Sequence, residues 1–210
     1  MHTVSIKTTH VKALQLFCAI KDARYYLYGM LLETGQNGAF IVATDGHTLA
    51  AARVCSDPMP DYQLILPADT VSAMSKCKAP AVIVTLPETA GKWVIGTKRK
   101  IIVQIPDKAG YCLQLSSEEV DGEFPDWRLA AKHEQGFEPT FCSPKYIKRV
   151  DDAARIIKGT PLGEVAGHLS PGSNGGCAFA WLDNVGDACA WVMPMRVNRS
   201  DLPTSPVWIV

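Results

Sequence analysis

The stretch Phe40-Ile-Val-Ala-Thr-Asp-Gly-His-Thr-Leu-Ala-Ala-Ala-Arg53 decides how this chain is read. Two apolar runs flank a polar knot, Thr44-Asp45-Gly46-His47. Asp-Gly between strand-like runs is the strongest short hairpin signal, because a tight type I′ turn needs positive φ at both central residues. The knot is therefore expected to be a turn. His47, alone on a hairpin, reads first as a hydrogen-bonded structural histidine; only a wider constellation would make it a ligand or a base.

Working outward, 210 residues give room for one large domain or two small ones. The 21 basic and 21 acidic side chains cancel. No bulk charge attracts a nucleic acid or a membrane, so an electrostatic partner must be met by a local face. The seven cysteines, Cys18, Cys55, Cys77, Cys112, Cys142, Cys177 and Cys189, are odd in number, widely spaced and without a C-x-x-C. That argues against a disulfide framework or a zinc site and for buried thiols in a reducing compartment. The start, Met1-His-Thr-Val-Ser-Ile-Lys7, has no apolar signal core, and no apolar run reaches the length of a membrane span. A soluble, cytoplasmic protein is expected.

Three segments have helical periodicity: Thr9 to Lys21, Pro67 to Cys77, and a third that opens at Ser143-Pro144 and ends at Gly159. In the third, Ser143 suits the N-cap, Pro144 the first turn and Gly159 the stop. Tyr146, Ile147, Val150, Ala154 and Ile157 form its apolar stripe. A short strand-like run precedes each helix: Val4 to Lys7, Tyr62 to Leu66, Pro139 to Cys142. Strand-like runs follow each. They are Tyr26 to Glu33 and the two arms of the hairpin; Ala81 to Leu86, Lys92 to Ile105 and Tyr111 to Ser116; Glu164 to Leu169, Cys177 to Leu182 and Ala188 to Val197. A β-α-β-β-β unit thus appears three times. Ile101, Val103 and Ile105 would share one face of a strand. The expected fold class is α+β, with helices packed on one face of antiparallel sheets.

Little here speaks for catalysis. There is no phosphate-binding loop and no dinucleotide fingerprint. The glycine-rich Ser170-Pro-Gly-Ser-Asn-Gly-Gly176 leads into a strand rather than a helix, so it reads as a hairpin loop. The pairs Glu118-Glu119 and Asp151-Asp152 read as solvated charge. No metal-ligand run occurs, and no cofactor is called for. Binding features are better represented. Lys145, Lys148, Arg149, Arg155 and Lys158 decorate the third helix, Lys12 and Lys21 the first, Lys76 and Lys78 the second. Such helices could meet phosphates without reading sequence. Arg24-Tyr25-Tyr26 follows the first helix. Adjacent tyrosines cannot both enter the core of a strand, so at least one is expected at the surface.

Arg24-Tyr-Tyr-Leu-Tyr-Gly-Met-Leu-Leu-Glu33, followed by Val42-Ala-Thr-Asp-Gly-His47, resembles the middle domain of the bacterial DNA polymerase III beta sliding clamp family. Val120-Asp-Gly-Glu-Phe-Pro-Asp-Trp127 is similar to the motif that closes that domain, and Val192-Met-Pro-Met-Arg196 to the family's C-terminal strand. The three stand in the family's order. The resemblance implies the DNA-clamp fold: a complete clamp domain over 1–130, a half domain over 131–197 like the second half of the last clamp domain, and an extension over 198–210. It finds no counterpart for the clamp's first domain, a pared-down form that would suit a phage or a mobile element.

By the same resemblance, the hairpin is one wall of an apolar groove that takes short peptides from polymerases, clamp loaders and repair proteins. The matching residues are Leu27, Thr44, Gly46, His47, Leu49, Pro125, Trp191, Met193, Pro194, Met195 and Arg196. Thr48 stands where clamps commonly carry Arg. Arg24, Tyr25 and Tyr26 match residues that touch DNA, and Lys12, Lys76, Lys78, Lys145, Lys148, Arg149 and Arg155 lie on helices that would line the bore. The implied function is that of a non-enzymatic processivity factor on duplex DNA, without sequence specificity. The alternative is a clamp-like module that keeps the groove, forms no ring and competes with a host clamp. A lone third unit leaves a sheet edge and an apolar helix face that, within the chain, only the first domain and the tail could cover; another protomer is expected to complete it. A homo-oligomer is expected. With three units per chain, a closed ring of the family's size would take four copies.

Overall fold

The computed structural model describes residues 2–88, 91, 94, 96, 98–106, 112–131, 141–159 and 177–195. The first unit runs β1 (Thr3–Lys7), α1 (Thr8–Gln15), β2 (Met30–Gly35), β3 (Gly38–Thr44) and β4 (Thr48–Cys55). The second repeats that order as β5 (Tyr62–Leu66), α2 (Ala68–Lys76), β6 (Ala81–Thr85), β7 (Lys100–Pro106) and β8 (Cys112–Glu118). A single turn, α3 (Trp127–Ala130), precedes the third unit, which contributes α4 (Pro144–Lys158), β9 (Ala178–Trp181) and β10 (Ala188–Val192). Phe141 and Cys142 are not in a strand. The rest of the expected strand at 139–142, the strand at 164–169 and the tail 198–210 lie outside the described residues.

Each of the first two units gives its leading strand to the other's sheet. β1 pairs antiparallel with β6, Val4 opposite Val84, and β5 pairs antiparallel with β2, Leu32 opposite Leu64. The sheets run β1-β6-β7-β8 and β5-β2-β3-β4-β10-β9. One core joins their helix-facing sides to α1, α2 and α4, with Phe17, Leu14, Met30, Leu64 and Met74 fully buried. Full burial of a side chain this size stabilises by about 1.5–3 kcal/mol. In β7 the expected alternation is present: Ile101, Val103 and Ile105 face this core.

Two boundaries differ from the sequence reading. The first helix stops at Gln15, because the Ala19 amide donates to the Leu27 carbonyl at 2.9 Å instead of continuing the helix. Tyr25–Tyr28 is a 3₁₀ turn and not a strand: the Leu27 amide turns back on the Arg24 carbonyl, and pairing starts at Met30.

The third unit docks on the first. β10 pairs with β4, setting Ala190 against Ala50 and Ala188 against Ala52. Val150, Ala153 and Ala154 of α4 are buried in the shared core, on the α1 side. The small residues of β4, β9 and β10 let the helices lie close to the sheet. Asp187 ties the junction by its backbone and by its carboxylate, which accepts from Arg53 at 2.6 Å. The first unit thus covers the Val150 and Ala154 part of the expected stripe without a second protomer; Tyr146 and Ile157 are half-buried, and Ile147 is exposed. α4 starts and stops where its sequence says, with Gly159 at φ +77° as the left-handed cap. The Ser143 side chain, however, makes no capping hydrogen bond.

Glu119 corrects the reading of the Glu118-Glu119 pair as solvated charge. Glu118 is exposed, but the Glu119 side chain is 1% exposed and the Arg99 side chain facing it 9%. Arg99 donates to both carboxylate oxygens, at 2.7 and 2.8 Å, and to the carbonyls of Gly91 and Gln63. Neighbours along an extended chain point to opposite sides, which puts one of two adjacent glutamates inward. No disulfide joins the seven cysteines; Cys18 is buried and Cys112 exposed. Among the described residues no helix is long and apolar enough to cross a membrane.

Candidate functional site

Asp45, Gly46 and His47 separate β3 from β4. The turn is not type I′: Gly46 has positive φ, +83°, while Asp45 does not. Side chains close it instead. The Thr44 hydroxyl donates to the Thr48 carbonyl at 2.7 Å and accepts from the Gly46 amide at 3.0 Å. Asp45 Oδ1 accepts from the amides of His47 and Thr48, at 2.9 and 2.7 Å, and from the Thr48 hydroxyl at 3.0 Å. Asp45 Oδ2 accepts from Arg149 on α4 at 2.5 Å. Burial alone would raise the Asp45 carboxyl; the Arg149 hydrogen bond and the two amides outweigh it and hold it below the ordinary carboxylate range.

This lip borders a groove of about 170 Å³. Leu27, Thr44, Gly46, His47, Leu49, Pro125, Trp191 and Met193 line it together, although they come from four separate stretches of the chain. The Met193 amide donates to the His47 carbonyl at 2.8 Å, which ties the end of β10 to the lip. Pro194 and Met195 lie beyond the groove lining, and the Met195 amide bonds to the Phe141 carbonyl. Arg196 lies outside the described residues.

Another wall carries residues that the sequence reading left out, Asp126, Trp127 and Ala130, with Cys177 and the already noted Thr48 elsewhere on the lining. Glu33 fixes that wall. Its carboxylate accepts from Trp127 Nε1 at 2.8 Å and Arg128 Nη1 at 2.6 Å on one oxygen, and from Gln63 Nε2 at 3.0 Å on the other. Arg128 also lies over the Trp127 ring, 4.4 Å from its centroid. Burial pushes the Glu33 carboxyl up, and the hydrogen bonds from Gln63, Trp127 and Arg128 bring it below its ordinary value. A lone charge in the apolar run Met30-Leu-Leu-Glu-Thr-Gly35 was the signal for this latch.

The residues expected at DNA fall into two sets. Lys12, Lys76, Lys78, Lys145, Lys148 and Arg155 are exposed on α1, α2 and α4 or just beyond α2. Two of these are already in i,i+4 ion pairs, Lys148 with Asp152 and Arg155 with Asp151. Arg24, Tyr25, Tyr26 and Arg149 are placed differently. Arg24 holds Asp22 through Nε and Nη2, leans over Gly46 and lines the groove. That contact holds the Asp22 carboxyl well below the usual range. Tyr25 is exposed and donates to the Asp121 carbonyl at 2.6 Å, and Tyr26 packs on Gly122. Both tyrosines border a cavity of about 720 Å³ shared with the carboxylates Asp121, Glu123 and Asp126. Arg149 turns away from solvent toward Asp45, its side chain 17% exposed.

The model for the DNA polymerase III beta subunit, central domain, matches residues 4–126. The beta sliding clamp of Salmonella typhimurium is 34% identical over 122 residues, which is 56% of this chain and 29% of that protein. The chain thus spans less than a third of the length of this curated relative. Among solved structures, the DnaN sliding clamp of Pseudomonas aeruginosa bound to griselimycin aligns with a TM-score of 0.60 at 17% identity, over 93% of this chain and 66% of that one. A putative DNA polymerase III beta subunit from Eubacterium rectale aligns with a TM-score of 0.64 at 11% identity, over 94% of this chain and 66% of that one. At such identities the two structures establish the fold.

Proposed function

The chain belongs to the DNA polymerase III beta subunit family, and on that premise we propose that it is a sliding-clamp-like, non-enzymatic factor of DNA replication that holds partner proteins through short peptides seated in the groove. The observation that supports this best is the convergence of Leu27, Leu49, Trp191 and Met193 with the Gly46 lip on one apolar trough. Leucine and methionine adapt to several apolar side chains, and glycine lets a peptide backbone come close. The partners of this class are a polymerase, a clamp loader or repair proteins.

Met193 is half exposed at the groove, so its truncation spares the fold. Met193→Ala is expected to weaken a fluorescein-labelled peptide with leucine and phenylalanine anchors by about 30-fold, the loss of one buried anchor of about 2 kcal/mol. Fluorescence anisotropy reads it. Equal binding by parent and variant would place the site elsewhere.

The second partner is duplex DNA, met through phosphates by the exposed lysines of the helices. Binding is then weak, indifferent to sequence and steeply salt-dependent. Replacing Lys12, Lys76 and Lys148 by Gln should flatten the salt slope by roughly 0.9 for each phosphate that is no longer neutralised. A closed ring needs further copies of the chain. Light scattering at micromolar concentration, with retention on circular against linearised DNA, tests it. An oligomer released on linearisation supports the ring. A monomer that binds peptide and ignores DNA leaves the module without a ring.

A further inference from the structure

Arg149 does not line the groove, and neither does Asp45. Yet the lip hangs on both. The Arg149 guanidinium lies over two rings, 5.4 Å from the Tyr146 centroid and 5.9 Å from the Phe17 centroid. One of its nitrogens, Nη1, donates to Asp45 Oδ2 at 2.5 Å and to the Thr48 hydroxyl at 2.6 Å. The other oxygen of the same carboxylate holds the amides of His47 and Thr48. The His47 ring stacks on Tyr146, 5.6 Å between centroids. One carboxylate is therefore shared between the turn and α4, and three groove residues depend on it: His47, Thr48 and, through the His47 carbonyl, Met193.

The hairpin does not need Arg149 in order to exist. The Thr44 hydroxyl and the pairing of β3 with β4 close it locally. What Arg149 adds is position: it fixes where the closed turn stands relative to α4 and the end of β10. The pair is only partly exposed, 17% and 15% at the two side chains, so salt screens it less than a surface pair. The rings of Tyr146 and Phe17 help to hold the guanidinium in place.

We propose that Arg149 is a positioning residue for the groove, one that holds the Gly46–Thr48 lip through Asp45 in the shape that meets the peptide. The proposal rests on the peptide-groove reading above. It separates Arg149 from the basic residues that face solvent on the same helix, and it makes the groove a joint property of the first and third units. Peptide affinity should then respond to how α4 is seated, although no α4 residue lines the groove.

Two measurements on the full chain test it. The first is amide hydrogen exchange at His47 and Thr48 without ligand; the second is anisotropy with the fluorescein-labelled leucine- and phenylalanine-bearing peptide. In Arg149→Gln the two amides should exchange about tenfold faster while Val42 and Ala50 stay protected, and the peptide should bind about tenfold more weakly, the size of one charge-assisted hydrogen bond. Arg149→Lys, which keeps a donor nitrogen and the charge, should recover most of both. Asp45→Asn keeps one oxygen to accept from the turn amides and replaces the oxygen that Arg149 holds by an amide NH2, which cannot accept from it; it should reproduce both changes, and it serves if the Gln variant does not fold. Unchanged exchange and affinity in a folded Gln or Asn variant overturn the proposal. Failure of the parent to bind peptide would overturn the groove reading, and the exchange data would still decide whether Arg149 sets the lip.

Discussion

Arg99→Met is expected to cost about 3–5 kcal/mol, the penalty for stripping one partner from a buried ion pair. The remaining Glu119 carboxylate would stay inside with a 1% exposed side chain and no counter-charge. The carbonyls of Gly91 and Gln63 would lose a donor as well. Against a total stability of about 5–15 kcal/mol for a typical domain, that is a large share. Much of it should return in Arg99→Met/Glu119→Leu, because removing both charges leaves nothing stranded. Denaturant melts of the three proteins give the comparison; a single variant that loses under about 1 kcal/mol would show the pair to be solvated. The site is expected to feel the change. Glu119 leads into residues 120–127, which deliver Pro125 and Trp127 to the groove, and the Val120 amide is held on the Ile65 carbonyl at 3.0 Å.

The second large effect is at Asp45. Asp45→Ala removes the acceptor of two amides, one hydroxyl and one guanidinium, and should destabilise the protein by about 3 kcal/mol. The pH dependence has a definite sign. A carboxyl depressed in the folded state stabilises fully above its unfolded value, about 3.9 for Asp, and loses that contribution as the pH falls through the lower folded value. Asp45 is depressed, and Glu33 behaves in the same way. The gap in stability between the parent and Asp45→Asn should therefore be constant near neutrality and shrink as the pH drops below about 4. A gap that survives unchanged at low pH would mean that Asp45 acts through shape and not through charge.

Local signals carried much of the fold. The boundaries of α2 and α4, the alternation in β7 and the turn at Gly46 all lie where short-range pattern puts them. Pattern misled where a long-range hydrogen bond took over the backbone, as at Ala19 and Leu27, which bond to each other instead of extending a helix and a strand. The groove lining was partly legible through the resemblance, which named eight of the residues that meet there. Trp127, Ala130 and Cys177 were not legible, because long-range contacts bring them there: the Glu33 latch and the packing of Trp127 on Phe40 for α3, and for Cys177 the pairing of the adjoining β9 with β10. Arg149 read as one more basic residue on an amphipathic helix. Only the docking of α4 beside the hairpin turns it inward, and nothing in the local sequence specifies that docking.

The trading of leading strands between the first two units bears on how the chain is made. Among the described residues, β1 finds its only sheet neighbour in β6, with Thr3 opposite Thr85. At roughly 5–20 residues per second, synthesis leaves β1 waiting on the order of ten seconds for that neighbour. The first unit cannot complete itself as it emerges, since β5, which borders β2, is also still to come. Folding is thus held back until both units exist, and pairing over such sequence distances is slow. During the wait β1 is an open strand that matches the β6 of any other copy as well as its own. Two nascent chains on one message are therefore exposed to exchanging β1, a swapped dimer whose unwinding would require both units to open.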